Sequence, residues 1–168
     1  MPTHTSDEIR TTAEAHEEAA LPQARVVHAD PETCTAEQKP LPNAMVRKPV
    51  EEKSAAEWAY ERLILYIQNF EEQLDSEHEI AMGFAGSDTG VMRIEGIGFF
   101  DPDIVTFYGS DETGTKTQLI QHVTQLNVML RALPKQAPMA PPARIGFRLV
   151  ADLEQERDVE EAEGDAKA

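Results

Sequence analysis

The chain has a single cysteine, a single tryptophan and no long apolar run in its 168 residues. Cys34 on its own excludes an intrachain disulfide and fits a reducing, cytoplasmic setting. The longest run of large apolar residues, Leu63 to Ile67, falls far short of the roughly 20 needed to span a bilayer as a helix. The first ten residues, Met1 to Arg10, lack the apolar centre of a secretory signal. Positive charge is also scarce, with 15 Lys and Arg against 31 Asp and Glu and a net charge of −16. Residues 51–155 alone hold 8 basic and 17 acidic residues, so the acidity is not confined to a tail. Such a charge repels phosphate backbones and anionic bilayers, so neither nucleic acid nor a membrane is the expected partner. An acidic, solvated surface that keeps the chain soluble accounts for the charge.

Catalytic signatures are missing too. No Gly-x-Ser-x-Gly elbow presents a nucleophile, and Ser54, Ser87 and Ser110 fall at a cap or in loops. Asp88, Asp101 and Asp103 suit turns, and no Asp-x-Asp-x-Asp-Gly loop is present to hold calcium. Away from the N-terminal segment the histidines are His78 and His122, too few for a histidine metal cluster. No catalytic residue, metal or cofactor is therefore expected.

What is present organises into one domain with two tails. Residues 1–50 are polar and broken by Pro22, Pro31, Pro40, Pro42 and Pro49, which predicts a disordered tail. Order is predicted to start at Ser54, the N-cap of a Ser-Ala-Ala-Glu capping box. Ala59, Leu63, Tyr66, Ile67, Phe70 and Leu74 then recur at helical spacing, which predicts a helix over 54–76. Ile80, Met82 and Phe84 alternate with small residues as a strand does, and Gly86 to Gly90 reads as a hairpin loop. Val91 to Phe100 makes a second strand, where Gly96 and Gly98 suggest a bulge or a close neighbour. Asp101-Pro102-Asp103 is a turn into a third strand, Ile104 to Tyr108.

Leu119, Val123, Leu126, Leu130 and Leu133 predict a second helix over 116–133, ended by Pro134. A proline-rich linker over 134–143 leads to the alternating stretch Arg144 to Leu149, a fourth strand. Residues 156–168 are acidic and coreless, a second disordered tail. The expected fold class is α+β: an antiparallel β-meander with helices packed on one face, in the order α-β-β-β-α-β. A domain of residues 51–155 has a modest core, so self-association is an expected way to bury more surface.

The runs E-W-A-Y-E-R-L-I-L-Y-I-Q-N-F-E, F-F-D-P-D-I-V-T-F-Y-G and T-Q-L-I-Q-H-V-T-Q-L-N-V-M-L together resemble a family of small bacterial proteins of unknown function. The similarity covers about residues 50–150 and leaves out both tails. It implies a stand-alone bacterial cytoplasmic domain and transfers no activity, cofactor or catalytic residue.

Two places remain for a function. The stretch G-S-D-E-T-G-T-K-T, from Gly109 to Thr117, sits between a predicted strand and a predicted helix. A phosphate loop requires Gly-Lys-Ser/Thr after its spacer. Here Lys116 arrives one residue late, and Asp111 and Glu112 stand where phosphates would lie. Thr115 is better read as the helix cap, which leaves Gly109, Gly114, Thr115 and Lys116 as a weak anion site at a helix N-terminus, with His122 and Arg144 as possible accessories.

The other place is an aromatic surface. Most aromatic positions have core spacing. Phe99 and Phe100 are adjacent, however, so on a regular strand one of them points away from the helices. An aromatic exposed there beside Phe107 or Tyr108 is a partner-binding surface. Arg144 and Arg148 add basic groups to an acidic domain. The expected function is a non-catalytic protein-interaction module that self-associates or binds a protein partner; the alternative is a small-anion or nucleotide binder at Gly109–Thr117.

Overall fold

A computed structural model describes residues 23–84 and 90–167. The expected hairpin loop at Gly86–Gly90 and the first 22 residues of the expected N-terminal tail lie largely outside the described residues. The described residues form three helices and five strands, in order. They are α1 (Asn43–Val46), α2 (Ala55–Glu72), β1 (His78–Phe84), β2 (Val91–Phe100), β3 (Ile104–Ser110), β4 (Lys116–His122), β5 (Val128–Pro134) and α3 (Gly146–Lys167). Short 3-10 turns stand at Ala36–Gln38, Val50–Glu52 and Val123–Gln125. The strands form one antiparallel sheet in the order β4-β3-β2-β1-β5. The fold class is thus α+β, an antiparallel sheet with helices.

Helix α2 forms where the sequence places it. Ser54 caps it by accepting from the Glu57 amide at 3.1 Å. Its apolar stripe buries Tyr60, Ile64 and Ile67 in a cluster with Ile80, Met82, Ile97, Val105 and Phe107 of the sheet. Ala44 and Met45 of α1 and Leu149 and Leu153 of α3 join the same cluster. The packed core therefore draws on residues before 51, where the expected tail had no structure.

Two predicted elements have the wrong type. The span 116–133 is not a helix but β4, a 3-10 turn and β5. Its leucines fit a 3.6-residue period by coincidence, because two strands are separated by a short connection. Leu119 pairs with Phe107 and Leu130 with Met82, on the core side, whereas Leu133 pairs with Glu79 on the other. Strand pairing over both flanks overrides the helical spacing.

The second correction is at 144–149, which is not a strand but the entry to α3. Alternation over six residues hid a longer recurrence: Leu149, Leu153 and Arg157 are buried four residues apart, along one helical stripe. Gly146 is where α3 meets α2. A Cβ built there would lie 2.7 Å from the Gln68 Cα, so only glycine permits this approach. Glu71 of α2 accepts from the Ile145 and Gly146 amides at 2.9 and 2.8 Å, capping α3 from outside. Burial raises the Glu71 carboxyl above its ordinary range, against the pull of these two amides. Helix α3 continues to Lys167, so residues 156–167 are helical rather than a coreless tail.

Candidate interaction surface

Among the described residues no helix covers the sheet's second face, and a bulge in β2 decides which side chains reach it. Pairing with β3 slips between Ile94 and Gly96, so Ile94 and Ile97 both turn to the core although three positions apart. Beyond the bulge the alternation is regular. Phe99 points inward, its ring 5.1 Å from that of Tyr60, and Phe100 points outward with 74% of its surface exposed. The register sets Phe100 beside Ile104, Thr106 between Gly98 and Ile120, and Tyr108 between Gly96 and Gln118. Tyr108 lies across the glycines. A Cβ on Gly96 would sit 3.7 Å from its side chain, and one on Gly98 would sit 2.8 Å from the Thr106 hydroxyl. The two glycines thus provide a flat floor that an aromatic ring covers. Ile120 is 62% exposed and Tyr108 44%.

Charge surrounds this patch and is spent locally. Lys116 binds both oxygens of Glu95 at 2.7 and 2.8 Å. Arg93 meets Glu79 at 3.0 Å, and His122 meets Asp103 at 3.0 Å. Among the described residues the strands carry Arg93, Lys116 and Arg131 against Glu79 and Glu95, whereas α3 alone carries eight acidic residues and three basic ones. The open face is close to neutral on a strongly acidic chain.

The Gly109–Thr117 stretch is a hairpin, not a loop before a helix. Asp111 closes it by accepting from the Thr113 and Thr115 amides, each at 2.9 Å. Gly114 takes a φ of +83°, which suits glycine. Gly109 is fixed by packing, since a Cβ there would come within 2.1 Å of the Arg93 carbonyl. Thr115 caps no helix, and Lys116 is bound to Glu95. The anion site expected at a helix N-terminus has no helix to support it.

His122 is the last residue of β4, not part of a helix surface. Its Nδ1 accepts from the Thr124 amide at 3.2 Å and lies 2.7 Å from the Thr124 hydroxyl, while Nε2 faces Asp103. A hydroxyl, an imidazole and a carboxylate thus line up. His122 and Asp103 are about 40% exposed, so water reaches the centre, and the arrangement serves to cap the turn at Val123–Gln125. Arg144 is not free either. It donates to the His78 and Asp75 carbonyls at 2.8 and 2.9 Å, tying the linker to the connection between α2 and β1. Arg148 is exposed, but on α3.

Sequence reasoning missed a buried charge cluster. Lys53 meets Glu61 at 2.8 Å, and Arg157 meets Glu57 at 2.5 Å, Glu61 at 3.2 Å and Glu160 at 2.8 Å. Lys48 meets Glu57 at 2.8 Å. Burial pushes the Glu57 carboxyl up, but the Lys48 and Arg157 partners outweigh it and hold the group below its ordinary range. Each carboxylate of this cluster has a cation against it, so the cluster clamps α3 and the 45–53 segment to α2. The signal was Glu57 and Glu61 one turn apart, with Arg157 one turn beyond Leu153.

A family model matches residues 49–148, which hold α2, the five described strands and the first three residues of α3. The chain belongs to a family of unknown function, DUF6173. Phe100, Ile104, Tyr108 and Ile120 lie within the DUF6173 span, and Arg157 lies beyond it. No curated protein and no solved structure matches the chain. Among the described residues no three His, Cys, Asp or Glu side chains are grouped to hold a metal ion, and no helix is long and apolar enough to cross a membrane.

Proposed function

We propose that this DUF6173 chain is a non-catalytic protein-interaction module whose partner docks on the open face of the sheet. One observation carries the reading: Phe100, 74% exposed, lies with Ile104, Tyr108 and Ile120 on a surface that no helix covers among the described residues, flanked by the Lys116–Glu95 and His122–Asp103 pairs. An aromatic and aliphatic centre with charged groups at its edge is how interfaces are commonly built. A second copy of the chain is one candidate partner, since a nearly neutral face lets two acidic molecules approach. A reducing cytoplasm suits the exposed thiol of Cys34.

The test uses the full chain as bait in a lysate of its own source, beside Phe100→Asp and the α3 surface variant Phe147→Asp. Sedimentation of the same three proteins reports self-association. A partner or dimer present with wild type and Phe147→Asp but lost with Phe100→Asp supports the reading. Identical behaviour of all three overturns it.

A further inference from the structure

A second surface differs from the rest of the chain in charge. Residues 23–41 cross α2 and are held there at three points. Gln73 donates to the Cys34 carbonyl at 2.9 Å, the Tyr66 hydroxyl donates to Glu37, and Lys39 pairs with Glu72. Between this segment and α2 lies a half-open cavity of about 390 Å³, within the usual size of small-ligand sites. Leu41 and Leu65 supply apolar wall, and Arg25, Lys39 and Arg62 bring three cations to it against one acid, Glu37.

The charges there are not cancelled. Lys39 is matched by Glu72. Arg62 lies 4.4 Å over the Trp58 ring, and neither it nor Arg25 has a carboxylate partner among the described residues. Glu37 is bonded to a tyrosine instead of an arginine. In a chain with twice as many acidic as basic residues, two such guanidinium groups on one cavity give its described lining a net positive charge.

We propose that this cavity binds a small monocarboxylate with an aromatic or branched apolar body. The guanidinium fork matches a carboxylate in shape and charge. The leucines and the Tyr66 ring suit an apolar body. Glu37 stands in the same wall and repels a dianion more than a monoanion, which disfavours phosphate. The site is separate from the open face of the sheet.

Trp58 is the only tryptophan in the sequence, and the Arg62 guanidinium lies over its ring, so its emission reports on the site through Arg62. The full chain is titrated with phenylacetate, with its charge-reversed counterpart phenethylamine and with inorganic phosphate. Phenylacetate is expected to give a saturable change with a Kd below about 1 mM. Phosphate should bind at least about tenfold more weakly, and phenethylamine should give no saturable change. Arg25→Gln, which leaves Trp58 and Arg62 in place, is expected to weaken phenylacetate about tenfold. Calorimetry of Arg62→Gln, whose own emission is altered, should show the same loss. Circular dichroism melts confirm that both variants are folded. The proposal is overturned by an unsaturable response, by equal binding of phosphate or phenethylamine, or by an Arg25→Gln titration that matches wild type. Phe100→Asp should leave the titration unchanged, so this result and the fate of the sheet surface are read independently.

Discussion

The two faces of the sheet are built from alternate residues of the same strands, and they solve opposite problems. On the covered face Met82, Ile97, Val105 and Phe107 are buried beneath α2. On the open face Phe100, Tyr108 and Ile120 remain accessible above a glycine floor. Phe99 and Phe100 make the contrast sharpest. The two side chains are identical and adjacent, yet one packs on Tyr60 and the other faces water. Composition and propensity cannot separate them. The difference lies in the strand's alternation and in the one-residue slip at Ile94/Gly96 that sets its phase. Stability is the business of the covered face; the open face is the one we propose for docking.

The most direct way to break this comparison is to truncate one phenylalanine on each face. Phe107 is fully buried, so Phe107→Ala should cost about 3–5 kcal/mol through lost burial and a cavity. Phe100→Ala should stay within about 0.5 kcal/mol, as surface changes do. Urea unfolding of the two variants measures both. A loss of several kcal/mol at Phe100 would mean that its face is structural and not a docking surface.

Charge sharpens the same contrast. On the helix side Arg157 is nearly buried between Glu57 and Glu61; on the open side Lys116 and Glu95 are 76% and 46% exposed. Removing one member of a buried group leaves its partners uncompensated in a poorly solvated place, whereas an exposed pair gains little over water. Arg157→Ala is expected to cost about 3 kcal/mol, and Lys116→Ala less than about 1 kcal/mol. Comparison of their denaturation midpoints decides the point. Equal losses would show that the cluster is no clamp.

The contrast between the faces also explains what was legible in the sequence alone. Helix α2 was legible because a cap, a broad apolar stripe and a sufficient length agree, and the open position of one phenylalanine of the 99–100 pair followed from alternation alone. The type of 116–133 was not legible. Leu119, Leu126, Leu130 and Leu133 mimic a helical period, and only the pairing of β4 with β3 and of β5 with β1 reveals strands. The proline-rich linker and the six-residue alternation after it masked the start of α3, whose stripe is apparent only when Leu149, Leu153 and Arg157 are taken together. A lone arginine among acidic residues reads as solvated until a fold brings two glutamates to it from 100 and 96 positions away. Local signals identify elements, but distant partners decide how those elements are used.

Acid titration gives the smallest expected difference between the two sides. Partners hold both Glu57 and Glu95 below the ordinary carboxylate range, Glu57 against the opposing effect of burial and Glu95 chiefly through its bond to Lys116. A carboxyl with a lowered folded-state pKa contributes stability above its unfolded value and loses it as pH falls through the folded one. The loss should therefore set in as pH falls to around the ordinary glutamate value of 4.5 and continue below it. Glu57→Gln removes the ionised group that the clamp requires, so stability should be lower at neutral pH and fall less steeply on acidification. Glu95→Gln, in a pair that water screens, should leave the slope almost as in wild type. Urea midpoints taken between about pH 6 and pH 3 test the difference. If Glu57→Gln keeps the wild-type acid slope, the carboxylate clamped by Lys48 and Arg157 is not what ties stability to pH, and the helix side holds its charges no more tightly than the open face does.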